Sequence, residues 1–211
     1  MARAYDSSAR IEGARRTRAS IVETARDLLL QGGYPGMTVA SLATAAGVSP
    51  QTVYNSVGNK AAVVKAVYDQ LMAGDDAAVP MSERPEFHAM FEAGDRVAFA
   101  QAYAGWVRVL AGRAGPLLGA LLAHGTDATL LEFTATIEHE RYVGTTHAIT
   151  GLRDRIGLPE HHADEDSLHR LVDAVWTLNS PDCYDRLVRR RGWSPAEYET
   201  WLAHQLIALL S

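Results

Sequence analysis

The sequence predicts an all-α fold with a helix-turn-helix near its N-terminal end. Three observations predict it. Apolar residues recur at helical spacing along almost the whole chain, as in Ile21, Ala25, Leu28 and Leu29, or Leu168, Leu171, Val172, Val175 and Leu178. No run of strict apolar–polar alternation bounded by turn residues points to a sheet. The charge is uneven. Residues 1–70 hold eight Lys/Arg against five Asp/Glu, a balance of +3, and residues 71–211 hold twelve against twenty, a balance of −8. Such a basic end can meet phosphates while the acidic bulk faces away.

Glycines and prolines divide the chain into stretches of helical length. Breaks are expected at Gly32-Gly33-Tyr34-Pro35-Gly36, Ala46-Gly47, Gly58, Gly74 with Asp75 and Asp76, residues 80–85, Gly94, residues 112–116, Gly157-Leu158-Pro159, Ser180-Pro181 and Gly192-Trp193-Ser194-Pro195. The first helix is amphipathic around Ile21, Ala25, Leu28 and Leu29. Arg15, Arg16 and Arg18 precede it, as a groove- or phosphate-following arm or as a disordered basic tail. Thr38 opens a helix over 38–45, and Ser49-Pro50 opens one over 49–56. A fourth helix runs over 59–72, and the domain boundary follows it, giving units 15–72 and 73–211. Ser194-Pro195-Ala196-Glu197 is a capping box with proline in the first helical position.

With 211 residues, 47% of them apolar and 21% charged, the chain can bury a sizeable core. Its longest apolar stretch, residues 116–123, is far short of the ~18 residues that a membrane span needs. The Arg-rich start lacks the apolar segment of a secretory signal. A single cysteine, Cys183, excludes an internal disulfide and a cysteine metal cage. These features predict a soluble, cytoplasmic protein with no membrane partner.

Residues 38–57 carry the functional signal. Two short helices that cross steeply need a small residue at the contact, a turn residue that tolerates positive φ, and a branched residue pointing back into the crossing. Ala43, Gly47 and Val53 supply these in order, and Val39, Leu42, Val48 and Val57 complete the buried side. The outward positions of the second helix are then Ser49, Pro50, Gln51, Thr52 and Asn55. They are short and polar with no carboxylate among them, so they can approach base edges without repelling phosphate.

The combination of an amphipathic helix over 21–30, Gly33, Thr38, Ala45-Ala46-Gly47-Val48-Ser49, Thr52-Val53-Tyr54 and Asn59-Lys60 resembles the DNA-binding domain of the tetracycline-repressor (TetR) family. The resemblance covers about residues 15–72. It implies a three-helix DNA-binding unit fused to an all-helical ligand-binding and dimerisation domain. The sequence departs from the family where His-Phe usually follows the tyrosine, which here is Asn55-Ser56-Val57. It departs again where an acidic residue usually follows the lysine, which here is Ala61.

Roles follow for the matching residues. Tyr54 is expected on a phosphate through its hydroxyl, and Lys60 on a second phosphate beside the amides of a helix start. Thr38 is foremost an N-cap whose backbone also lies near phosphate. Gln51, Thr52 and Asn55 are the expected base readers, because an amide pairs bidentately with adenine. The partners implied are double-stranded operator DNA, a second copy of the chain and a small-molecule effector.

Tyr103, Trp106, Phe133, Tyr142, His147 and Trp176 are candidates for the effector pocket, with plain core packing as the alternative. The stripe of Leu168, Leu171, Val172 and Val175, with Trp201, Leu202, Leu206 and Leu209, is the candidate dimer interface as a four-helix bundle. Residues 180–202 resemble a C-terminal segment common in the family. Arg189, Arg190 and Arg191 read as a solvated helix end.

No catalytic residue, metal site or cofactor is expected. His139-Glu140 lacks the second histidine of H-E-x-x-H, since Val143 stands there, and no phosphate-binding glycine loop or nucleophile elbow occurs. His161, His162, Asp164, Glu165 and Asp166 read as a loop capping the next helix rather than as a metal site. The reading is therefore a homodimeric repressor released by a ligand. A helical adaptor, an activator and a helical enzyme are the alternatives.

Overall fold

The structure, a computed structural model, describes residues 2–74, 85–122 and 128–211. The breaks expected at Asp75, Asp76 and 80–84, and Ala123 at the end of the longest apolar stretch, lie outside these residues. Ten α-helices are described: α1 (Ala2–Gly36), α2 (Val39–Ala45), α3 (Pro50–Ser56), α4 (Lys60–Ala73), α5 (Pro85–Phe91), α6 (Arg96–Leu122), α7 (Ala128–Arg155), α8 (Glu165–Leu178), the one-turn α9 (Pro181–Tyr184) and α10 (Pro195–Leu209). The described residues contain no strand, so the fold is all-α as the periodicity predicts. None of the described helices is long and apolar enough to cross a membrane.

The chain divides into two compact units. One comprises Met1–Asp76 with Pro116–Phe133, and the other Ala77–Gly115 with Thr134–Ser211. In the first, Ile21, Ala25 and Leu29 of α1 pack with Leu42, Val53, Val63, Val64 and Val67, all buried. The end of α6 and the start of α7 join this unit through buried Leu117, Leu118, Leu121 and Leu130. Phe133 stands edge-on to Tyr68, with ring centroids 5.6 Å apart. The second unit is built around Phe99, Tyr103 and Val107 of α6, Ile149 and Leu152 of α7, α8, and Tyr198, Leu202 and Leu206 of α10.

Caps explain most helix starts. Thr38 and Ser41 form a capping box on α2, Ser49 caps α3 and Asn59 caps α4. Asp164 accepts from the Ser167 amide at 2.8 Å and caps α8, so the acidic loop beside His161 and His162 serves the helix start. That hydrogen bond holds the Asp164 carboxyl below the usual carboxylate range. His162 Nε2 meets the Leu209 carbonyl at 3.0 Å. The Ser194–Glu197 box opens α10.

Two expectations are corrected. Residues 112–116 do not end a helix: α6 continues through Pro116 to Leu122. A proline removes one ladder hydrogen bond and crowds the residue four before it. Here that residue is Gly112. The Tyr184 side chain lies alongside Gly112 and Gly115, 3.6 and 3.9 Å from where their Cβ atoms would sit, and Arg189 donates to the Gly115 carbonyl at 3.0 Å. Arg15, Arg16 and Arg18 do not precede the first helix either. They lie inside α1, which runs unbroken from Ala2 until Gly33 turns the backbone at φ 65°.

Candidate nucleic-acid interface

The helix-turn-helix forms from local chemistry. Gly47 adopts φ 66° in the turn, a conformation that costs a side-chain-bearing residue about 1–2 kcal/mol. The Gly47 and Val48 amides then close the turn on the carbonyls of Thr44 and Ala43 at 3.3 and 3.0 Å. Ala43 is buried at the crossing and Val53 is fully buried beneath α3. Val39, Val48 and Val57 are half-buried at its edges. After α3, Gly58 lets the chain reverse so closely that a Cβ there would lie 2.8 Å from Ala62 Cβ.

This burial turns one face of α3 outward. Pro50, Gln51, Tyr54 and Asn55 are exposed, Tyr54 by 51%, whereas Thr52 is half-buried. The face is internally ordered. Ser49 Oγ accepts from the Thr52 amide at 3.0 Å and lies 2.8 Å from Thr52 Oγ1. Gln51 Nε2 donates to Asn55 Oδ1 at 2.9 Å. The two amides therefore stand as one unit, with Gln51 Oε1 as acceptor and Asn55 Nδ2 as donor. An adjacent acceptor and donor match the N6 donor and N7 acceptor of adenine.

Lys60, expected as a phosphate holder, is tied to its own chain. Its Nζ donates to the Tyr34 carbonyl at 2.7 Å and stands 3.6 Å from the centroid of the Tyr34 ring. Lys60 thus pins the start of α4 to the end of α1. Thr38 spends its side chain on the α2 cap.

Sequence reading missed two connections. Arg18 Nη1 donates to the carbonyl of Ser56, the last residue of α3, at 2.7 Å, which fixes the C-terminal end of that helix and suits its dipole. The register held a signal, since Arg18 lies seven residues before the buried Ala25 on one stripe of α1. Asn59, whose Oδ1 accepts from the Ala62 amide at 3.0 Å, supplies the cap that Ala61 does not strengthen.

In the second unit the candidate pocket residues fall into separate contact sets. Tyr142 and Trp176 meet edge-on at 6.1 Å, with Arg141 5.4 Å from the Trp176 ring. Trp106 and His147 gather around Phe87, at 6.2 and 5.8 Å. Tyr103 is buried in a polar layer with Thr145 and Asn179. Phe133 belongs to the first unit, on Tyr68. Trp176 Nε1 and the Tyr198 hydroxyl are buried without a hydrogen-bond partner among the described residues.

The candidate dimer residues fall into two groups by burial in the single chain. Leu168, Leu171, Val172, Val175, Leu202 and Leu206 are already buried in a single chain, because their stripes close its own core. Only Trp201 and Leu209 of that set remain half-exposed. Arg190 pairs with Asp185 at 2.6 Å at the end of the helical turns after α9, in keeping with a helix end.

The fold and the outward face of α3 define a helix-turn-helix of the DNA-reading kind. Residues 21–67 match the family described as bacterial regulatory proteins, tetR family. No curated protein matches the sequence.

Proposed function

We propose that the protein is a cytoplasmic, homodimeric repressor whose DNA-binding part spans 15–72 and whose regulatory part spans 73–211, released from operator DNA by a small ligand. The observation that carries the DNA reading is the uncharged, exposed face of α3, ordered by the Ser49–Thr52 and Gln51–Asn55 pairs. One seven-residue helix offers too few base contacts for a specific site, so two copies read a palindrome with half-sites about one helical turn apart, ~34–36 Å. The faces of α8 and α10 that remain outside the single-chain core are the surfaces such a partner meets. Selection of bound duplexes from a random pool tests this. An inverted repeat is expected, and protection of a single unrepeated half-site by a monomer would overturn it.

Gln51 and Asn55 read bases as a unit, while Tyr54 and Lys60 hold phosphates. Gln51→Ala, Asn55→Ala and the double variant should therefore relax base preference to a similar extent, about 1–3 kcal/mol at the affected base pair. Tyr54→Phe should weaken all duplexes alike. Titration of the selected duplex and its single-base variants checks both. Equal weakening of cognate and random DNA by Gln51→Ala would remove it from base reading.

The effector reading rests on Tyr103, Trp106, Tyr142, His147 and Trp176 in one unit. The unpaired indole N–H of Trp176 suits a mostly apolar or aromatic ligand that carries a hydrogen-bond acceptor. A ligand that favours one state need supply only ~1–3 kcal/mol of coupling to change DNA affinity by roughly 5–150-fold. A thermal-shift screen of small aromatic compounds, followed by DNA titration with each hit, tests it. Hits that stabilise the protein but leave DNA affinity unchanged would overturn release by ligand.

A further inference from the structure

The positive charge of the N-terminal segment is confined to its first turns. Residues 1–18 hold five arginines against Asp6 and Glu12, a balance of +3. Residues 19–70 hold Arg26, Lys60 and Lys65 against Glu23, Asp27 and Asp69, a balance of zero. The helix-turn-helix proper is therefore neutral. Binding to duplex DNA draws much of its strength from cations placed on phosphates. A neutral reading head needs that contribution from elsewhere in the chain.

The structure puts the basic residues on a helix beside the reading head. Along α1, Ile11, Arg18, Ala25 and the neighbouring Ile21 and Val22 follow one stripe. Ile21, Val22 and Ala25 are buried, Arg18 reaches the end of α3, and Ile11, two turns further out, is 70% exposed. The stripe thus leaves the body of the unit at the C-terminal end of α3. From Arg18 to Ser8 the helix extends roughly 15 Å further. Arg10, Arg15 and Arg16 are exposed on this stretch. Arg15 pairs with Glu12 at 3.0 Å, and Arg16 lies 3.9 Å from the same carboxylate. Residues 8–18 hold Arg10, Arg15, Arg16 and Arg18 against Glu12, a balance of +3, and exposed ion pairs are weak enough to yield to phosphate.

We propose that residues 8–18 of α1 form a helical arm that lies along the phosphates flanking each half-site, with Arg10, Arg15 and Arg16 as sequence-independent contacts and Arg18 as the residue that positions α3. This rests on the reading of α3 as the base-reading helix. The arm supplies the charge that the neutral helix-turn-helix lacks, and its rigid junction at Arg18–Ser56 sets where those charges fall.

The test uses the full chain and the duplex selected from a random pool, with enough flanking sequence on both sides. Arg10→Gln/Arg15→Gln/Arg16→Gln is titrated against this duplex and a random one between about 50 and 200 mM salt, beside the corresponding Arg→Lys variant. The glutamine variant should bind both duplexes more weakly by a similar factor, on the order of tenfold or more. Its plot of log affinity against log salt should be shallower by roughly two to three. The lysine variant should keep the steeper slope. A wild-type slope in the glutamine variant overturns the arm, as does a loss shared by the lysine variant or a loss at the selected duplex alone. If wild-type protein binds no duplex, the reading of α3 falls along with the arm. If wild type binds while the glutamine variant matches its slope, the arm alone falls.

Discussion

Val53→Asp is expected to abolish binding to every duplex, with a loss of about 1,000-fold or more. Val53 is fully buried beneath α3, and its carbonyl receives the amides of Val57 and Gly58 at 2.9 and 3.2 Å as the chain turns toward α4. A carboxylate at this position is shut off from water, since Val53 is fully buried. It must either ionise in an apolar crossing or fold only when protonated, at a cost of several kcal/mol. A unit of this size has only a few kcal/mol of stability to lose. The effect should therefore be structural, with falling helicity by circular dichroism accompanying the loss of binding. Val53→Thr nearly conserves the shape and brings only an unpaired hydroxyl, so its loss should be much smaller. Binding by Val53→Asp within tenfold of wild type would mean that the α2–α3 crossing does not hold the reading face in place.

The parts of this interface that were legible in the sequence are those fixed by local chemistry. Thr38, Ser49 and Ser194 announce helix starts because a side-chain oxygen two or three residues ahead of free amides has one good use. Gly47 announces the turn because few other residues adopt φ 66° at low cost. Contacts between distant residues were not legible. The stripe on α8 shows that one face is buried but not against what, and the answer is the core of the same chain. Pro116 reads as a break because the sequence does not reveal that Tyr184 and Arg189 arrive to cover the glycines beside it. Lys60 reads only as a phosphate holder because its partner within the chain, the carbonyl of Tyr34, is a backbone group present at every position.

Asn179→Ala is expected to produce the largest stability loss in the second unit, and for a reason equally invisible in the sequence. Asn179 Nδ2 donates to the Tyr103 hydroxyl at 2.6 Å and to Thr145 Oγ1 at 3.0 Å. Its Oδ1 accepts from Arg141 Nη2 at 2.6 Å, and the same nitrogen reaches the Trp176 carbonyl at 2.7 Å. Arg141 is further paired with Glu138. One amide thus joins α6, α7 and α8 in a layer where Tyr103 and Thr145 are buried. Burial pushes the Tyr103 hydroxyl above its ordinary range, so it remains a neutral donor and acceptor at physiological pH. Truncation leaves three polar partners short of a hydrogen bond at once. The expected cost is roughly 2–5 kcal/mol, a fall in melting temperature on the order of 10 °C. Tyr198→Phe provides the contrast, because it removes a buried hydroxyl that has no hydrogen-bond partner among the described residues. It should be neutral or stabilising by up to about 1 kcal/mol. Tyr103→Phe combined with Asn179→Ala should cost less than the sum of the two single changes, since both break the same bond. Chemical denaturation of the four variants measures all of these terms. Additive losses for Tyr103 and Asn179, or a loss from Tyr198→Phe as large as that from Asn179→Ala, would show that the layer is held together by packing rather than by the Asn179 amide.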